Sequence, residues 1–223
     1  MRVIAEEKKQ KTDQLLYSLP ITTTQIVIGK YLSLLLIYLV PLCLICFYPL
    51  IYSPSGDVYL LTAYGSILAF FIMGSALIAM GVFISSLTEN QGFAAGISIA
   101  IILLNYYSVR LSEYVSSTAF GSAIAMCVVI FLLGTIIQYL TKNSNLAFGI
   151  CSLLLVGVVV TYFVDSTKLE GLLPSIMKKL SLFERFNVFV NGIFDMTAIV
   201  YYLTVIVFFL FLSVQALEKR RYN

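Results

Sequence analysis

Side chains that ionise, attack or ligate are scarce in this sequence. Its 223 residues include no histidine. A Ser-His-Asp or Cys-His nucleophile pair, a histidine metal ligand, a histidine proton relay and an H-E-x-x-H intramembrane metalloprotease are therefore excluded. The four cysteines, Cys43, Cys46, Cys127 and Cys151, lie inside apolar runs with no neighbouring loop charge to activate a thiol. Cys43 and Cys46 share a helix face but have no third ligand nearby, so they read as small buried hydrophobes. Gly29-Lys30 is followed by Tyr31 and preceded by no glycine loop, so this chain binds no ATP through a P-loop. No residue reads as catalytic, and neither a metal nor a cofactor is implied.

Two groups of polar residues remain. The first is Met1–Leu19, which reads as an amphipathic helix with Val3, Ile4, Leu15, Leu16 and Leu19 apolar and Glu6, Glu7, Lys8, Lys9, Lys11 and Asp13 polar. Pro20 limits it on the C-terminal side. It could lie on a lipid surface or dock a soluble partner; its mixed charge is less typical of a helix that binds anionic lipid. The second group sits in or near apolar runs: Asn105, Gln138, Asn187, Asn191 and Asp195. Asn105, Asn191 and Asp195 are the candidates for polar positions on a translocation path, although Asp195 also suits the N-terminal cap of the last helix. Ionisable groups inside the runs are nearly missing, which argues against a proton- or sodium-coupled pump.

The elements that must hold these residues are membrane helices. Hydrophobic residues make up 60% of the chain and charged ones 11%, and the mean hydropathy is +0.97. A soluble domain has about 25% charged residues, so a soluble enzyme, a disordered chain and a nucleic-acid-binding domain are excluded. A bilayer core about 30 Å thick needs roughly 20 apolar residues in a helix. Six runs qualify, near residues 25–52, 62–87, 92–109, 119–140, 146–164 and 197–217. The expected architecture is an all-α polytopic bundle: residues 1–20 form a cytoplasmic amphipathic helix and residues 21–223 the transmembrane domain. Thr22-Thr23-Thr24 can cap the first span, and Pro41 should kink it. Between the fifth and sixth runs, Leu173, Ile176, Met177 and Leu180 fall on one face of a short interfacial helix over Leu172–Phe183. Phe186–Phe194 is apolar but too short to span, and reads as a re-entrant or interfacial piece.

An N-terminus inside the cell puts nine basic residues on the cytoplasmic side and five outside. With six crossings the C-terminus is inside too, in a cytoplasmic membrane. Small residues mark two spans: Gly74 and Gly81 in the second, and Gly92 and Gly96, a G-x-x-x-G, in the third. They read as helix-packing positions.

The order of these segments resembles the ABC-2-type transporter permeases. Ala5-Glu6-Glu7-Lys8-Lys9-Gln10-Lys11-Thr12-Asp13-Gln14-Leu15-Leu16, then Leu19-Pro20-Ile21 and Ile28-Gly29-Lys30-Tyr31, is closest to the gliding-motility-type branch. Ser85-Ser86-Leu87-Thr88-Glu89-Asn90-Gln91 is similar to that family's turn between two spans. Phe186–Tyr202, with Asn191-Gly192-Ile193-Phe194-Asp195, is similar to its approach to the last span, and Ala216–Arg221 to its ending. The resemblance implies that the charged segment is a coupling helix lodged in a groove of a separate ATP-binding subunit, with Glu6, Glu7, Lys8, Lys9, Thr12 and Asp13 in contact with it. It implies a second permease subunit, in a homo- or heterodimer. Two departures stand out. The family carries two spans ahead of this segment, so the first two transmembrane helices are expected to be lacking here. Its Gly in the "G-T" pair is Lys11 here, which should make the helix more regular.

The expected function is that of the permease subunit of an ABC exporter, itself not an enzyme, driven by ATP hydrolysis in a partner. The alternative is a non-transporting assembly or immunity protein, or an inactive permease fragment. The lipid bilayer is a partner on either reading, and nucleic acid on neither.

Overall fold

The computed structural model describes residues 3–12, 20–56, 59–115, 118–141 and 144–221. Helices occupy most of them: α1 (Val3–Gln10), α2 (Thr23–Tyr52), α3 (Leu60–Leu87), α4 (Gln91–Tyr114), α5 (Ala119–Thr141), α6 (Ser144–Val164), α7 (Leu172–Leu180), α8 (Leu182–Val190) and α9 (Met196–Arg221). Short 3-10 turns lie at Ser53–Ser55 and Ser166–Leu169. The result is a helical membrane bundle. Among the described residues α2, α3, α4 and α9 are long and apolar enough to cross a bilayer. The fourth and fifth expected runs are also helices, α5 and α6, whose described apolar stretches, Ala119–Leu132 and Phe148–Val164, are shorter.

The chain divides into two compact units. The first holds residues up to Tyr106 and from Leu182 onward, and the second Tyr107–Ser181. In the first unit α3 is the central helix. Half of its most apolar window is buried inside the chain, against 6% for α2 and 17% for α9. The rest of α2 presents Leu36, Ile37, Val40 and Leu44 outward, as lipid requires. Cys43 is on that outward surface, contrary to its reading as buried: α2 packs through one stripe only, and lipid accepts a thiol as readily as the chain interior does.

Sequence chemistry fixes where α2 begins. Thr22 Oγ1 accepts the Gln25 amide at 3.3 Å while Gln25 Oε1 accepts the Thr22 amide at 3.0 Å, a capping box. Tyrosines then tie α2 to α3, because a hydroxyl in hydrocarbon must find an acceptor. Tyr31 donates to the Ser75 carbonyl at 3.2 Å, Tyr38 to Phe70 at 3.0 Å, and Tyr64 back to Cys46 at 3.2 Å. Gly74 makes room for Tyr38: a Cβ there would fall on the ring and its hydroxyl. The main core joins Ala69, Met73 and Ala76 of α3 to Leu182 and Phe189 of α8 and Ala198 and Tyr202 of α9. Tyr202 is fully buried and donates to the Leu182 carbonyl at 2.8 Å.

Two expected boundaries move. The third span was expected to end before Arg110-Leu111-Ser112-Glu113, yet α4 runs on to Tyr114. Nothing there breaks a helix, so those charges need not mark its end. The interfacial helix expected to reach Phe183 stops at Leu180. Ser181 has an extended backbone, and a second short helix, α8, follows. At nine residues α8 is too short to cross a bilayer, as expected for that segment.

In the second unit α5 and α6 run antiparallel in close contact. Gly134 permits this, since a Cβ there would land on Cys151 Sγ, which lies 3.6 Å from the Ile130 carbonyl. Of the expected apolar face of α7, Leu173 is buried, Met177 half-buried, and Ile176 and Leu180 exposed.

Candidate functional site

The charged N-terminal segment forms α1, seated on one end of the first unit. Eight residues make a marginal helix in isolation, so the seat must hold it. Ile4 is buried in a cluster with Val27 of α2, Val82 of α3 and Leu217 of α9, and Ala5 is fully buried beside it. The first turn of α1 has backbone amides with no intrahelical partner. Those of Ile4 and Ala5 donate to Ser85 Oγ at 3.2 and 2.9 Å. A hydroxyl on α3 thus performs an N-cap's task from another helix. Ser85 itself is 1% exposed.

The charges complete the seat. Lys8 is buried, and its ammonium donates to the Ser86 carbonyl. That carbonyl lies in the last turn of α3, where carbonyls lack helical partners and the helix end attracts a cation. Glu7 forms an ion pair with Lys30 of α2, whose Nζ is closed off from solvent and has no aligned hydrogen bond. At the same end Thr23 of α2 donates to Glu218 of α9 at 3.1 Å. Helices α1, α2, α3 and α9 therefore converge through apolar contacts and paired polar groups.

The helix stops at Gln10, well before Pro20. Lys11 has φ of 57°. Its amide bonds to the Lys8 carbonyl at 3.2 Å and that of Thr12 to the Glu7 carbonyl at 3.1 Å. This paired closure is the Schellman motif. Lys11 therefore does not make the helix more regular, as expected; it ends it, in a conformation that costs a non-glycine residue about 1–2 kcal/mol. Glycine in the related "G-T" pair would suit this position for the same reason.

The six residues assigned to partner contact consequently separate. Glu6 and Lys9 are exposed. Glu7 and Lys8 turn toward α2 and α3, and Thr12 Oγ1 donates back to the Glu7 carbonyl at 3.3 Å. Asp13 lies outside the described residues. Sequence reasoning missed Ser85, Ser86 and Lys30 as parts of the seat. Their visible signal was a serine pair and a lysine at the ends of apolar runs, where orphan backbone groups need partners.

The other polar candidates are distributed elsewhere in the first unit. Asn105 Oδ1 accepts the Leu182 amide at 3.0 Å and so caps α8. Asn191 is exposed at the end of α8. Asp195 accepts the Thr197 amide at 2.9 Å and also its hydroxyl, the cap of α9 that its position suggested. These bonds, the hydroxyl's first, hold the Asp195 carboxyl below its ordinary pKa of 3.8, and Arg185 adds to the effect. Of the small residues, Gly81 is buried in α3 and Gly74 half-buried against Tyr38. Gly92 and Gly96 are exposed; a Cβ at Gly92 would have ordinary contact with Asn90, and one at Gly96 would meet open space.

Residues 1–109, just under half of the chain, match the family model described as ABC-2 family transporter protein. The segments compared at Phe186–Tyr202 and Ala216–Arg221 lie beyond that match. No curated protein and no solved structure matches the chain. The match and the apolar helices together support a multi-pass membrane protein, a transporter permease component similar over its first 109 residues to the ABC-2 transporter membrane family.

Proposed function

We propose that this chain is the membrane subunit of an ABC exporter of the gliding-motility-type branch, and that α1 is the helix on which a separate ATP-binding subunit docks. Both termini are then cytoplasmic, as the nine basic residues on that side favour. A second permease subunit completes the path, and hydrolysis in the partner drives alternating access. The observation that carries the proposal is the seating of α1. A helix meant only for a lipid surface would present its apolar face outward. Here Ile4 and Ala5 face the bundle, while Glu6 and Lys9 project from a helix tied to α2 and α3. A soluble partner gripping that exposed face would act on two long helices at once.

The test is recovery of an ATP-binding subunit with the tagged chain from its native membrane, in mild detergent. The wild-type chain should bring the subunit down. Glu6→Lys with Lys9→Glu should reduce its yield at least tenfold while membrane insertion is unchanged. These two positions are preferable to Glu7, whose reversal would also break the Lys30 pair. Recovery of the subunit at full yield by the double variant refutes the docking assignment, and a wild-type chain that purifies alone favours the non-transporting alternative.

A further inference from the structure

The contacts between α1 and α3 are reciprocal. Ser85 of α3 accepts the orphan amides at the start of α1, and Lys8 of α1 donates to an orphan carbonyl at the end of α3. Each helix terminus supplies what the other lacks. All the groups are buried: Ser85 is 1% exposed, Ser86 2% and Lys8 5%. Water therefore cannot readily replace either partner, and losing one leaves the other unsatisfied. An eight-residue helix has little stability of its own. Its order must come from this seat.

We propose that Ser85 and Lys8 form a reciprocal cap that couples the order of α1 to that of the C-terminal turn of α3, with Ser85 the positioning residue through which a load on α1 reaches α3. The first half is a property of the chain alone; the second rests on the docking proposal. Leu87 and Thr88 follow directly, and the α3–α4 turn begins there. A displacement of α1 would thus be felt where two long helices meet. Lys30, paired with Glu7, links the same helix to α2.

The experiment is hydrogen–deuterium exchange on the full chain in lipid nanodiscs, comparing wild type with Ser85→Ala, Ser85→Thr and Lys8→Met. Ser85→Ala should speed exchange across α1 about tenfold and also speed it over the last turn of α3, although no backbone bond of α3 needs that hydroxyl. Lys8→Met should do the same from the other side. Ser85→Thr, which keeps the hydroxyl, should return both regions toward wild type. The amides of α8 should stay constant throughout. Unchanged exchange in α1 for Ser85→Ala overturns the cap; faster exchange in α1 with an unchanged end of α3 overturns the coupling. In complexes with the ATP-binding subunit, Ser85→Ala should lower ATP turnover per bound subunit severalfold. Wild-type turnover in that complex overturns the positioning role. If wild-type protein brings down no such subunit, the docking proposal fails, and exchange alone still decides the cap.

Discussion

Among the described residues of the first unit, the short helices α1 and α8 are built on one plan in different surroundings. Each begins under a cap supplied by a long helix: Ser85 of α3 for α1, and Asn105 of α4 for α8. Each closes with paired Schellman bonds, from Lys11 and Thr12 in α1 and from Gly192 and Ile193 in α8. They contact α3 near opposite ends, α1 at Ser85 and α8 at Ser66, whose hydroxyl donates to the Phe189 carbonyl at 2.9 Å. That separation is about 30 Å at the rise of an α-helix, comparable to the core of a bilayer. They differ in what holds them. The seat of α8 is mainly apolar, with Leu182 and Phe189 buried among α3 and α9 residues, and its left-handed position is glycine. The seat of α1 depends on a buried hydroxyl, a buried ammonium and an ion pair, and its left-handed position is lysine. The lesson is that the same local motif can close a helix held mainly by apolar packing or one held by buried polar groups, at a left-handed position that costs lysine more than glycine.

Exchanging the two left-handed residues tests this contrast. The largest effect is expected from Gly192→Lys. At φ of 81°, with the Thr62 methyl 3.3 Å from where a Cβ would stand, the variant should lose about 2 kcal/mol. Thermal unfolding in detergent would show it, and an unchanged midpoint would break the comparison. The reverse change, Lys11→Gly, should stabilise α1 by about 1 kcal/mol, read as roughly fivefold slower amide exchange across Val3–Gln10. Faster exchange would mean that the Lys11 side chain supplies more than the strain removes. The smallest effect concerns the start of α9. A carboxyl held below its ordinary value stabilises the folded state above that value and loses the contribution as pH falls from there through the lowered one. Exchange at the first turn of α9 should therefore stay steady down to about pH 4 and quicken below it. In Asp195→Asn that acid step should vanish; its persistence would assign the step to another carboxyl.

Much of the bundle was legible because membrane helices write themselves in composition. Runs of apolar residues without charge located α2 to α6 and α9, and Thr22-Thr23-Thr24 marked a start that the structure caps with Thr22, the Gln25 half of the capping box being visible only there. Asp195 was also legible, because a helix cap is a local bond between near neighbours. The end of α4 was not, since a charge can mark a membrane boundary without stopping a helix. Nor was the division of labour within Glu6, Glu7, Lys8 and Lys9. A helical pattern separates polar from apolar faces, but it cannot tell a charge that faces water from one that faces another helix's terminus.

The sequence by itself therefore determined that this chain forms apolar helices with a charged segment ahead of them, because hydropathy and capping act over a few neighbouring residues. Only the tertiary structure decided that Ser85 lies over the start of α1, 81 and 80 positions from the amides it accepts, that Lys8 reaches the end of α3, and that Lys11 turns left-handed to close the helix. Those outcomes depend on which orphan backbone groups meet across distant segments, and no local spacing records that meeting.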